Sequence, residues 1–194
     1  MEIRKLKAVC VIGSARSNGS TAYIVDRVID GMKETGVETK RYALGDLGIG
    51  FCCGHKVCYK SGDCIKHDAV HGIVEDMAES DTIVIASPSY WGDVPGQLKT
   101  FFDRCTPYSD TNKNRKIILP QGKTGISIAI RAGATDRENL HILESIEHFY
   151  GHLGIKPVAR LSIRETDSLE DLLKKRQKEI NEAYEIGRRI GLEK

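Results

Sequence analysis

Apolar positions fall along this chain in two alternating rhythms. Lys7–Gly13 (KAVCVIG), Thr82–Ala86 (TIVIA) and Gly125–Ile130 (GISIAI) are short continuous apolar runs rich in β-branched residues, the pattern of strands buried on both faces. Val37–Leu44 is more amphipathic and Ile155–Ile163 weaker, which makes them a second and a fifth strand. Between the strands the period lengthens to that of a helix, over residues 21–35, 68–79, about 95–104 and 137–153. Val70, Ile73, Val74 and Met77 share one face of the second, and Ile142, Ile146, Phe149 and Leu153 one face of the fourth. A last helix starts at Ser168, capped with Asp171 three residues on, and carries Leu169, Leu172, Leu173, Ile180, Ala183 and Tyr184 inward. Five strands alternating with five helices predict an α/β fold, a doubly wound five-stranded parallel sheet in strand order 2-1-3-4-5. A ligand then belongs at the carboxyl ends of strands 1, 3 and 4.

Composition narrows the setting. With 194 residues, 40% of them hydrophobic, the chain can bury one substantial core, so residues 1–194 are expected to form a single domain with a cysteine-rich segment at about 45–66. A net charge of +2 is too mild to call for nucleic acid or an anionic membrane as partner. The basic N-terminus leads into an apolar run too short for a signal-peptide core or a membrane span. A cytoplasmic location is expected, where reduced thiols favour metal, cluster or redox chemistry over disulfides for the six cysteines.

Three loops at the predicted carboxyl edge are chemically unusual. After strand 1, GSARSNGST (residues 13–21) offers side-chain donors from Ser14, Arg16, Ser17, Asn18, Ser20 and Thr21, with Gly19 among them, at a helix N-terminus. That suits a compact monophosphate. It is neither a Walker A loop nor a G-x-G-x-x-G turn, and a plain Ser/Asn cap is the bland alternative. After strand 3, SPSYWGDVPGQLKTFFDR (residues 87–104) places Pro88, Ser89, Tyr90, the only tryptophan Trp91, and Gly92 where a planar aromatic ligand would find a stacking wall; core or subunit-interface aromatics are the alternative. After strand 4, Arg131, Ala132 and Gly133 leave room for a ligand close to backbone.

These two segments resemble the G-S-x-R-x-N-G-x-T phosphate loop and the S-P-x-Y-(aromatic)-G…L-K-x-F-x-D-R segment of the NADPH-dependent FMN reductase family, in its iron–sulfur flavoprotein branch. The resemblance runs from about residue 7 to 135. It implies a flavodoxin-like fold and FMN, with phosphate at Ser14, Arg16, Asn18, Ser20 and Thr21. The isoalloxazine is then expected against Pro88–Gly92 and Arg131–Gly133. It also implies homodimers or homotetramers with flavin near a subunit interface.

FCCGHKVCYKSGDC (residues 51–64) holds four of the six cysteines. Iron–sulfur flavoproteins carry Cys-x2-Cys-x2-Cys-x5-Cys at this point for a [4Fe–4S] cluster. Aligned on the last two cysteines, this chain offers Cys52, His55, Cys58 and Cys64, with Cys53 as an extra thiol. Either His55 or Cys53 is then the fourth ligand, or the site is degenerate. A zinc set of Cys58, Cys64, His67 and His71 is chemically conceivable. His141, His148 and His152 are expected on a solvated helix face. Lys56, Lys60 and Lys66 flank the cysteines and suit docking of an acidic ferredoxin. The expected function is FMN-dependent electron transfer with the cluster or ferredoxin, NAD(P)H being the other candidate donor. Rival readings are a cluster-free NAD(P)H-dependent FMN or quinone reductase, a flavodoxin-like carrier, and a metal or redox-sensing module without flavin.

Overall fold

The computed structural model describes residues 4–192; the first three residues of the basic N-terminus and the last two residues lie outside it. In chain order the elements are β1 (Lys7–Ile12), α1 (Ser20–Glu34), β2 (Glu38–Ala43), α2 (Cys58–Ser61), α3 (Ala69–Glu79), β3 (Thr82–Pro88), α4 (Gly96–Arg104), β4 (Thr124–Ile130), α5 (Arg137–His152), β5 (Lys156–Ile163), α6 (Leu169–Lys175) and α7 (Gln177–Leu192). The strands are all parallel in the order β2-β1-β3-β4-β5, as the alternation of patterns predicts.

Alternate side chains of each buried strand leave the sheet on opposite faces, so the apolar runs feed two cores. Val9, Val11, Ile83 and Ile85 pack against α3, α4 and α5. Ala8, Cys10, Ile12, Val84, Ala86, Ile126 and Ile128 meet α1, α6 and α7 on the other side. The backbones of α1 and α7 touch because two glycines face each other's helix. A Cβ at Gly31 would stand 2.0 Å from the Tyr184 carbonyl oxygen, and one at Gly187 would stand 2.0 Å from that of Val28.

The single C-terminal helix predicted from Ser168 is two helices. Ser168 does cap α6, its hydroxyl accepting from the Asp171 amide at 3.1 Å, but the helical backbone breaks at Arg176 (φ −123°, ψ 37°). Leu173, expected inward, is 40% exposed, because on so short a helix it cannot share the stripe of its neighbour Leu172. The four-residue α2 inside the cysteine segment has no periodic signal in the sequence.

From β1 the chain first crosses to β2 on one side and then to β3 on the other. The crevice of the fold therefore opens at the carboxyl ends of β1 and β3.

Candidate functional site

The loop after β1 is tied to that crevice by Gly13, whose amide donates to the Ala86 carbonyl of β3 at 2.8 Å. Ser14 is buried, and its Oγ accepts from the Arg16 amide at 3.0 Å, which turns the chain toward α1. Helix α1 begins without a side-chain cap: Gly19 occupies the N-cap, and the first turn holds no acidic residue. Its leading N–H groups, which have no partner within a helix, are left for an anion, and the helix dipole adds to that preference. Ser20 and Thr21 are buried in this first turn, Ser17 is half-buried, and Arg16 and Asn18 are exposed. The donor set and the uncapped helix fit a phosphate group.

Two supports of this loop come from residues distant in sequence. Arg41 on β2 donates to the Ser17 carbonyl at 2.9 Å and pairs with Asp26 of α1 at 2.7 Å. Gly45, in the short turn after β2, lies directly under the loop; a Cβ there would be 2.6 Å from the Ala15 carbonyl oxygen and 2.9 Å from that of Ser14. Neither is signalled by local pattern, since both act on residues far away in sequence.

After β3, Ser89 continues the pairing to β4 by donating to the Ile130 carbonyl at 2.8 Å. Tyr90 and Asp93 then form an antiparallel bridge with amide–carbonyl bonds of 2.9 and 3.1 Å. Between them Trp91 (φ 55°) and Gly92 (φ 80°) are both left-handed, which is the geometry of a type I′ turn. A tryptophan in that conformation is strained and persists because the bridge dictates it. Trp91 is fully exposed and Tyr90 is 42% exposed, so neither is a core aromatic.

In the loop after β4, Arg131 folds back on its own chain. It donates to Thr135 and pairs with Glu138 at 3.1 Å. Glu138 also accepts from the Ser89 hydroxyl at 2.9 Å, so it couples this loop to the aromatic turn. In the sequence Glu138 is only an acid in the first turn of a helix, a position that dipole complementarity already explains. Ala132 is exposed and Gly133 half-exposed, and the loop presents little bulk there.

The cysteine segment lies between β2 and α3. Cys52 and Cys53 are exposed, while Cys58 and Cys64 are half-buried. Together with His55 they line one small cavity of about 30 Å³ whose floor includes Arg104. Burial, with Cys64 and Cys52 next in weight, raises the Cys58 thiol above its ordinary pKa. Arg104 itself is 1% exposed. Its Nη1 donates to the Gly50 carbonyl at 2.7 Å and to Asp68 at 2.6 Å, and its Nη2 to Asp68 at 3.0 Å and the Lys66 carbonyl at 3.3 Å. Burial alone would lower its pKa, yet hydrogen bonding to Asp68, with the nearby Cys64 next in weight, raises it. Its Nε is buried without a partner.

Among the described residues, no three His, Cys, Asp or Glu side chains converge on a single ion position. The zinc set is accordingly not assembled: His71 faces the Tyr108 hydroxyl at 3.1 Å, with Asp63 at 3.6 Å and Glu75 at 3.3 Å. A cubane cluster takes one thiolate at each iron corner, so its ligands surround a volume and do not meet at a point. Four cysteines around one cavity, with a buried cation against them, suit that donor geometry. His141 and His148 are exposed on α5, as expected of a solvated face, while His152 is half-buried and stands edge-on to His148 with ring centroids 4.8 Å apart.

Comparison with known proteins identifies relatives of this chain. Residues 6–165 match the family described as NADPH-dependent FMN reductase. An iron–sulfur flavoprotein of Archaeoglobus fulgidus is 31% identical over 135 residues, 70% of this chain and 59% of that protein. Another from Methanocaldococcus jannaschii is 35% identical over 102 residues, 53% of each chain. The alignments thus span little more than half the length of these two relatives. One from Methanosarcina thermophila is 26% identical over 153 residues, 77% of each chain. Among solved structures, an NAD(P)H:quinone oxidoreductase from Methanothermobacter marburgensis shares the fold with a TM-score of 0.74 at 16% identity, covering 96% of both chains. With residues 6–165 matched, and with a further iron–sulfur flavoprotein of Methanocaldococcus jannaschii 30% identical over 75% of this chain and 71% of that protein, the chain belongs to the NADPH-dependent FMN reductase family, in its iron–sulfur flavoprotein branch.

Proposed function

We propose that this chain is an FMN-dependent oxidoreductase that also carries a [4Fe–4S] cluster and passes electrons between the two, with NAD(P)H or a ferredoxin as donor. The observation that carries it is the uncapped start of α1 at the crevice between β1 and β3, flanked by the Tyr90–Asp93 turn. FMN exchanges electrons in pairs as hydride or one at a time, and an iron–sulfur cluster exchanges them singly.

The phosphate is held by Ser14, Arg16, Ser17, Asn18, Ser20 and Thr21 with the leading amides of α1, and Arg41 and Gly45 keep that loop in place. Pro88–Gly92 and Arg131–Gly133 supply the two loops for the ring system, joined through Glu138. Cys52, Cys58 and Cys64 supply three thiolates, and Cys53 or His55 the fourth donor. The exposed Phe51, Val57, Tyr59, Ile65 and Trp91 offer apolar surface for assembly as a homodimer or homotetramer. The location is cytoplasmic in this reading. Among the described residues no helix is long and apolar enough to cross a membrane.

Lys56, Lys60 and Lys66 would dock an acidic ferredoxin. Reversing their charges should slow reduction by ferredoxin at low salt, and an unchanged rate would remove that partner. The cluster-free flavin or quinone reductase remains the second reading, because histidine stands at the family's second cysteine position and no three donors converge. An absorption spectrum of anaerobically purified protein, with flavin, iron and sulfide assayed on the same sample, tests both. FMN with about four iron and four sulfide per chain supports the cluster. FMN without iron leaves the simpler reductase, and a colourless protein overturns the flavin reading.

A further inference from the structure

The cysteine cavity contains one polar group that the fold does not use. Arg104 ends α4, the helix that follows the aromatic turn, and its side chain is almost wholly buried beneath the cysteine segment. Its two terminal nitrogens are engaged: they form a fork on Asp68 and hold the carbonyls of Gly50 and Lys66, on either side of the cysteines. The remaining donor, Nε, is buried without a partner, while the guanidinium lines the same cavity as Cys52, Cys58 and Cys64. An unsatisfied buried N–H is costly and calls for an acceptor. His55, Asp103 and Thr106 also line that cavity, but the acceptor whose charge acts on the Arg104 guanidinium there is the Cys64 sulfur.

We infer that Arg104 is a positioning residue of the iron–sulfur site: its Nε–H donates to a sulfur of the cluster or of its Cys64 ligand and thereby raises the cluster's reduction potential. This rests on the cluster reading above. The physical reason is charge. A cubane with thiolate ligands is anionic and becomes more so on reduction, so a hydrogen bond to its sulfur strengthens in the reduced state. Asp68 neutralises most of the guanidinium charge, which leaves the directed hydrogen bond as the main effect of Arg104 and makes Asp68 a brake on it. The same fork fixes the carbonyls at 50 and 66, so Arg104 also sets the separation of the two ends of the cysteine loop.

The test is an EPR-monitored redox titration of the reconstituted holoprotein, wild type against Arg104→Lys and Asp68→Asn, with iron, sulfide, FMN and thermal midpoint measured on each. Arg104→Lys keeps the charge and loses Nε; the potential should fall, with a roughly tenfold or greater drop in the equilibrium constant for reduction, the size of one charge-assisted hydrogen bond. Asp68→Asn keeps the cap of α3, since asparagine caps well, but removes the neutralising charge, and the potential should rise. Opposite shifts support the inference; a purely structural Arg104 would lower stability in both variants without opposed potentials. Unchanged potentials at full iron content overturn it. If Arg104→Lys fails to fold, Asp68→Asn alone decides by the sign of its shift. A wild-type chain that takes up FMN but no iron overturns the cluster reading and this inference with it.

Discussion

Replacing Gly45 by alanine puts the architecture of the phosphate loop to a direct test. A methyl group there would meet the Ala15 carbonyl oxygen at 2.6 Å, the Ala15 carbonyl carbon at 2.8 Å and the Ser14 carbonyl oxygen at 2.9 Å, all of them backbone atoms. No side-chain rotation relieves such contacts; the loop must move, on the order of 0.5–1 Å, to regain ordinary separation. Overpacking of this kind costs about 1–3 kcal/mol. A bound phosphate must pull the loop back, so part or all of that cost appears as lost affinity, roughly 5- to 150-fold in Kd. Gly48, three residues on in the same segment, is the control: a Cβ there meets nothing within 4 Å. Quenching of flavin fluorescence on titration into the cofactor-free protein measures the Kd, and thermal melting of the same samples reports any general loss of fold. Gly45→Ala should weaken FMN binding while Gly48→Ala leaves it unchanged. Equal affinities for both variants and wild type would refute the placement of phosphate in the Ser14–Thr21 loop.

Thiol accessibility provides a second check: of the six cysteines, metal-free native protein should react at Cys52, Cys53, Cys58 and Cys64. Cys10, buried and pushed up to about 12 by burial, and Cys105, buried and raised by the same cause, should react only after denaturation, so a native count of six in a DTNB assay contradicts the core described here. Gly187→Ala drives a methyl group into the Val28 carbonyl oxygen at 2.0 Å and should lower the unfolding free energy by about 1–3 kcal/mol or more, read as a lower urea midpoint. An unshifted midpoint would show that α1 and α7 do not cross so closely. Glu147 of α5 is held below the usual carboxylate range by hydrogen bonding to Arg160 of β5, and it also accepts from Ser127 of β4 at 3.0 Å. A depressed folded-state pKa adds stability that is present above the unfolded value of about 4.3 and is lost as pH falls through the folded one. Glu147→Gln should therefore flatten the decline of stability below about pH 4.3; a parallel decline would argue against this pair.

Much of the fold was legible because it rests on local patterns. Runs such as TIVIA are of strand length and rich in β-branched residues, the mark of strands buried on both faces, and the helices between them carry one apolar stripe each, so the parallel sheet and its order follow from short-range patterns and the handedness of the crossovers. The loops Ser14–Thr21 and Pro88–Gly92 were legible for a different reason: hydrogen-bonding and turn residues mark where a chain leaves a strand without returning to a core. What escaped is pairwise and distant. Leu173 follows Leu172 in sequence, and only the break at Arg176 and the docking of α7 on α1 decide which leucine is covered.

The same division holds for the site. Residue types along the chain determine that a helix start rich in side-chain donors, an aromatic turn and a cysteine cluster exist, since each is a property of a few neighbouring residues. Tertiary structure alone decides that Arg41 grips Ser17, that Gly45 lies under Ala15, that Glu138 joins two loops and that Arg104 is buried beneath the cysteines with one donor to spare. Each of these is a contact between segments brought together by the crossover connections. Its strength depends on distance and burial, which no stretch of sequence carries by itself.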